Sequence, residues 1–200
     1  MTAKQISDKA FERLKTFDVR GLLPALRNAN QGAIDDVLNT NGNAYYQWGA
    51  CLVDVVKPKQ VVELGGAMGV WAICVLYHLP SDSKLYSITL AEHGLEFSYV
   101  VDNYPNLVKI IGDDLDMNNW KGIDLSKTDL WFFDSLHTEK QLRSELKLYS
   151  PYFKKGTIIL FDDIRQPELW PVWSDLIKDC RDYVELTNPC HYSGYGMVVI

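Results

Sequence analysis

The stretch Gln60-Val61-Val62-Glu63-Leu64-Gly65-Gly66-Ala67-Met68-Gly69 decides how this chain is read. A short, mostly aliphatic run enters a turn of small residues, and Val70-Trp71-Ala72-Ile73 follows at once. That is the pattern of a strand passing through a glycine turn into a helix. In a sheet covered by helices, such a turn lies at the carboxyl end of a strand, where anionic or nucleotide ligands bind. The spacing narrows the ligand. A dinucleotide fingerprint begun at Gly65 requires glycines where Ala67 and Val70 stand, and no Gly-Lys-Ser/Thr follows to make a phosphate loop.

After residue 60, short apolar runs alternate with helical patterns, the sign of a parallel sheet between helices. The spacing predicts strands over 60–64, 85–90, 108–111, 130–134 and 157–161, then 183–187 and 196–200. Helices are predicted over 70–77, 95–104, 139–149 and 169–180. Thr138-Glu139-Lys140-Gln141 fits a capping box for the third of these, and Pro151 stops it. Asn188-Pro189 and Ser193-Gly194 punctuate the last two strands as an antiparallel hairpin. The expectation is an α/β fold with a seven-stranded, mostly parallel sheet. Before residue 60, helices are predicted over 6–16 and 45–56, with a loop of Asn, Gly and Asp over 28–43. No repeat or linker divides the 200 residues, so they read as one domain: a cover and loop over 1–44 and a ligand-binding core over 45–200.

Composition excludes several functions. With 47% hydrophobic and 23% charged residues, the chain can fill a core and is not disordered. A net charge of −6 without a basic block argues against nucleic acid as a partner. No apolar run approaches the roughly 20 residues that span a bilayer, and none at the start resembles a secretory signal, so a cytoplasmic location is expected. Cys51, Cys74, Cys180 and Cys190 form no Cys-x-x-Cys pair and are expected to be buried free thiols.

Acidic residues cluster where strands end. Asp134 closes the fourth strand, and Asp162-Asp163 closes the fifth. Three carboxylates converging in one crevice would suit Mg²⁺ or another divalent cation, which takes hard oxygen ligands. His137 follows Asp134 by three residues, which can turn both into the crevice and set a general base beside the cation. Each residue also has a bland use, Asp134 as a helix cap and His137 as a loop hydrogen-bonder. Of the aromatics, Tyr45, Trp120, Trp170 and Trp173 read as packing residues, while Tyr46 and Trp48 are candidate substrate contacts before the glycine turn.

Glu63, Gly65, Ala67 and Gly69 together resemble motif I of the class I S-adenosylmethionine-dependent methyltransferases, an acidic residue followed by Gly-x-(Gly/Ala)-x-Gly. The resemblance runs across roughly residues 45 to 200 and implies the Rossmann-like fold of that family, with the cofactor at Glu63, Gly65, Gly66, Ala67 and Gly69. It further implies an adenine contact at Asp113 or Asp114 and a cofactor contact near Asp134. The second strand of such enzymes usually ends in an acidic residue that holds the ribose; here Thr89 stands at that end, and Glu92 is the nearest substitute. The Asp-x-x-His after the fourth strand, with an acidic pair after the fifth, is similar to the metal-dependent sugar O-methyltransferases of the macrocin and mycinamicin type. The implied activity is methyl transfer to a hydroxyl of a small molecule, a sugar or polyol, with Asp134 and His137 catalytic and Asp134, Asp162 and Asp163 on the metal. Two rival readings are a non-catalytic S-adenosylmethionine-binding protein and a Rossmann-like enzyme for a nucleotide-linked substrate. The sequence leaves homo-oligomerisation open.

Overall fold

The computed structural model describes residues 1–22, 35, 37, 44–91, 104–186 and 191–200. Its strands are β1 (Gln60–Leu64), β2 (Lys84–Thr89), β3 (Leu107–Ile111), β4 (Leu130–Phe133), β5 (Ile158–Phe161), β6 (Tyr183–Leu186) and β7 (Tyr195–Val199). The helices used below are α1 (Ala3–Leu14), α2 (Tyr45–Val56), α3 (Val70–Leu76), α4 (Glu139–Tyr149) and α5 (Trp170–Asp179). The strands form one sheet in the order β3-β2-β1-β4-β5-β7-β6. The first five run parallel, and β7 is antiparallel to both β5 and β6. This is the expected α/β, Rossmann-like arrangement with its antiparallel end. The C-terminal pair is inserted rather than appended: β7 lies between β5 and β6.

β1, β4 and β5 are buried along their whole length. A parallel sheet covered on both faces demands this, which is why Leu130-Trp131-Phe132-Phe133 is continuously apolar rather than alternating. Successive residues still face opposite layers. Val61, Phe132 and Leu160 join α1, α2 and α3 in one core, whereas Val62, Leu64, Trp131 and Phe161 join α4 and α5 in the other. α3 is buried at all seven positions, so it is apolar all round and shows no polar face to read.

Several boundaries move by one or two residues, as helix and strand ends commonly do. The first helix moves more, beginning at Ala3. Its cap is a reciprocal capping box between Thr2 and Gln5, a signal the sequence reading passed over. The predicted 95–104 helix, the 28–43 loop and Glu92 lie outside the described residues, apart from Asp35, Val37 and Tyr104. Cys51 and Cys74 are buried free thiols, and Cys180 is only half-buried. Among the described residues no helix is long and apolar enough to cross a membrane.

Candidate active site

The carboxyl ends of the parallel strands open into a cleft of about 330 Å³, at the lower end of the size range of small-molecule sites, which is roughly 300–1,000 Å³. Gly65 and Ala67 line it from the turn after β1, and Thr89 and Leu90 from the end of β2. Gly112, Asp113 and Asp114 contribute from the end of β3, and Asp134, Ser135, Leu136 and Gln141 from β4 onward. Five of the residues expected at a cofactor, Gly65, Ala67, Asp113, Asp114 and Asp134, therefore border one space.

The turn is built by backbone. The amides of Gly65 and Gly66 both donate to the Ile88 carbonyl, at 3.0 and 2.9 Å. Gly65 has φ +94°, and a Cβ there would sit 1.8 Å from the Asp134 carbonyl oxygen. Glycine at 65 is thus required by the neighbouring strand end, whatever ligand comes. Gly69, also in the left-handed region, is the N-cap of α3. Glu63 lies below the turn with 2% exposure, accepting a hydrogen bond from Ser87 Oγ. Burial pushes its carboxyl up to about 7. It is absent from the cleft lining. Thr89 Oγ1 donates to the Ala91 carbonyl at 3.3 Å, so a hydroxyl stands where an acidic residue was sought.

The second half of the site is made of side chains. The Asp134 amide donates to the Leu64 carbonyl and the Asp162 amide to the Phe133 carbonyl, at 2.9 and 3.0 Å, so the ladder sets both carboxylates one residue past their strands. Oxygens of Asp134 and Asp162 and a ring nitrogen of His137 lie within 4.8 Å of one another. His137 is held between acids, Nε2 3.0 Å from Asp134 Oδ1 and Nδ1 3.1 Å from Asp163 Oδ2. Asp163 takes φ +55°, uncommon for a non-glycine residue and tolerated best by Asp and Asn. Its carboxylate accepts from Gln166 Nε2 and Ser193 Oγ.

Asp162 is different: it is 7% exposed, and its Oδ1 has no hydrogen-bond partner among the described residues. Burial, and then the charges of Asp134 and Asp163, hold its carboxyl well above the usual carboxylate range. Burial raises Asp134 likewise, with the charges of Glu63 and Asp163 adding to it. An acceptor atom buried without a donor is costly, and carboxylates so close repel unless a proton or a cation stands between them.

His191 joins this site although it was not among the expected site residues. It is 3% exposed on the segment before β7 and forms a second group with Asp162 and Asp163; its Nε2 is 3.4 Å from Asp162 Oδ1. Another helix and strand separate it in sequence from that pair, and no local signal links them; only the insertion of β7 beside β5 does. Tyr45, expected in packing, is buried at 7% exposure in the core. It lies edge-on to His191 with ring centroids 4.4 Å apart and stacks against Tyr46 at 4.0 Å. Trp48 is fully buried beside Phe11 and Tyr195, so it packs the core and is no substrate contact. Trp170, expected in packing, is 43% exposed.

Residues 62–164 match the methyltransferase domain family, a span that contains the glycine turn, Asp134, His137 and the acidic pair. The chain belongs to the methyltransferase domain family. The full architecture of this methyltransferase domain recurs in solved structures. The O-methyltransferase TomG from Streptomyces achromogenes, in complex with SAM, superposes with a TM-score of 0.67 at 12% identity, covering 100% of this chain and 99% of that one. An O-methyltransferase from Bacillus cereus, in complex with SAH, gives 0.65 at 17% identity, covering 90% and 91%. A methyltransferase from Geobacter sulfurreducens gives 0.64 at 15% identity, covering 88% and 90%. At such identities the likeness is one of fold. No curated protein matches the chain significantly.

Proposed function

We propose that this methyltransferase uses S-adenosylmethionine to methylate a hydroxyl of a small molecule, with a sugar or polyol as the acceptor class and a divalent cation such as Mg²⁺ assisting. One observation carries the reading. Asp134 is a wall common to the cleft and to the carboxylate cluster, so a methyl donor in the first lies next to an oxygen held at the second. The resemblance to sugar O-methyltransferases supplies the acceptor class, and the SAM-bound and SAH-bound neighbours support the donor.

The donor set fits a divalent cation: hard carboxylate oxygens and an imidazole, with a buried Asp162 Oδ1 that accepts no hydrogen bond from any described residue. Asp134 and Asp162, grouped with His137, would hold the ion, with Asp163 reaching it only through the second group that it forms with Asp162 and His191. When bound, it supplies Lewis acidity that lowers the pKa of a hydroxyl brought against it. The remaining work falls to the chain. His137, hydrogen-bonded through Nε2 to Asp134 Oδ1 at 3.0 Å and with Nδ1 3.1 Å from Asp163 Oδ2, itself anchored by Gln166 and Ser193, is the group placed to take the acceptor's proton. The glycine turn brings backbone close to the donor, and Asp113 and Asp114 border its other end. In-line transfer then depends on alignment, which the rigid strand ends provide.

The test offers S-adenosylmethionine with a panel of sugars and polyols and follows acceptor-dependent release of S-adenosylhomocysteine. Release should fall in excess chelator and return with Mg²⁺. Full turnover in chelator would remove the cation from the account while leaving methyl transfer in place. Calorimetric binding of S-adenosylmethionine without turnover on any acceptor would favour a binding protein.

A further inference from the structure

α4 carries Gln141, Glu145 and Tyr149 at i, i+4 and i+8, a polar stripe turned toward the segment after β3. Tyr149 Oη donates to the Asp114 carbonyl. Gln141 Nε2 donates both its hydrogens, to Asp114 Oδ1 at 2.8 Å and to Glu145 Oε1 at 2.9 Å. Glu145 Oε1 also accepts from Ser135 Oγ, and Glu145 is 1% exposed. Thr138 caps α4, its side chain accepting from the Gln141 amide at 3.2 Å. A full capping box would turn the Gln141 side chain back to the Thr138 amide. Instead it leaves the helix end and borders the cleft.

Burial pushes the Glu145 carboxyl up to about 8, but its Oε1 already accepts from Ser135 Oγ, so that oxygen and Asp114 Oδ1 both face the carboxamide as acceptors and its nitrogen turns to them. The carbonyl oxygen is what remains. Gln141 Oε1 makes no hydrogen bond to any described residue, and the side chain lines the cleft together with Asp114 and the apolar Leu136 and Leu90. Asp114, by contrast, is buried and engaged with Gln141 and Glu145. We infer that Gln141 is the specificity residue for the base of the nucleoside bound in this cleft, presenting a carbonyl acceptor to an exocyclic amine, with Asp114 and Glu145 as the positioning residues that lock its amide. A 6-amino purine satisfies it. A 6-oxo purine sets a carbonyl against a carbonyl and is rejected. This inference rests on the cleft being the S-adenosylmethionine site.

Titration calorimetry on the full chain tests it with S-adenosylhomocysteine and its inosine counterpart, which differs only in carrying a 6-oxo group. The intact chain should bind the adenosine compound about 10- to 100-fold more tightly, the usual effect of leaving one buried partner unmet. Gln141→Leu should weaken the adenosine compound to the level of the inosine one and abolish the preference. Gln141→Met, closer in shape, serves as the second variant, and the intact chain's preference is read without any variant. Equal binding of the two compounds by the intact chain would overturn the inference, as would a preference that survives in either variant. If the intact chain binds neither compound, the methyl-donor reading fails, and that result is distinct from the others.

Discussion

The two halves of the crevice are made of different material. On the side of β1 and β2 the chain offers backbone: two amides on one carbonyl, a glycine forced by the strand next door, and a threonine hydroxyl where a carboxylate was sought. On the side of β4 and β5 it offers three carboxylates and two imidazoles, in two groups that share Asp162, whose Oδ1 accepts no hydrogen bond from any described residue. The first half is explained by folding alone. The second is not, since burying like charges opposes folding; it is there that chemistry must be sought. A glycine motif is therefore weaker testimony to a ligand than it looks, and an unpaired buried oxygen is stronger.

The sharpest way to separate the halves is to remove His137. His137→Ala should retain binding of S-adenosylhomocysteine and lose ~10²–10⁴-fold in turnover, with the pH dependence of the rate flattened. Initial rates against pH check this, and near-normal turnover would give proton removal to a carboxylate. Gly65→Val attacks the other half. Left-handed backbone and a Cβ driven into the Asp134 carbonyl should together cost about 2–5 kcal/mol, seen in urea denaturation. Binding lost with stability intact would show that the glycine serves the ligand after all.

Glu63 gives the next effect. Its folded pKa, about 7, lies above its ordinary value of 4.5, so the folded state holds the proton through a window where the unfolded state has released it. Stability should therefore fall as pH rises from about 4.5 to about 7, by roughly 3 kcal/mol at most for that shift. Glu63→Gln should remove this contribution to the slope and be the more stable form above pH 7, as thermal melts at several pH values would show. The smallest effect belongs to the cap of α4. Thr138→Ala should cost about 1 kcal/mol, and if it also weakens S-adenosylhomocysteine binding, the helix end and the cleft are coupled through Gln141.

The sheet was legible because strands buried on both faces leave long apolar words such as Leu130-Trp131-Phe132-Phe133, and the acidic ends were legible because Asp134 and Asp162 directly follow them. Their convergence depended only on β4 and β5 being neighbours, the common outcome for consecutive strands. His191 was not legible, because its place depends on β7 slipping between β5 and β6. Gln141 was misread for a different reason. Local capping rules gave its side chain a nearby partner, and two carboxyl groups, Asp114 after β3 and Glu145 one turn along the same helix, outcompeted it.

Beyond Asp163 the chain is sewn to the segment before β7: the Ile164 amide donates to the Gly194 carbonyl at 3.1 Å, and the Arg165 amide to the Ser193 carbonyl at 2.8 Å. Cation-binding loops in many proteins are slack until the ion arrives, and the ordering is then charged against affinity. Here that entropy has been surrendered during folding, when β7 took its place. What an arriving ion would meet is a finished frame, and it would have to shed its own water and displace the protons that the raised Asp134 and Asp162 carboxyls hold.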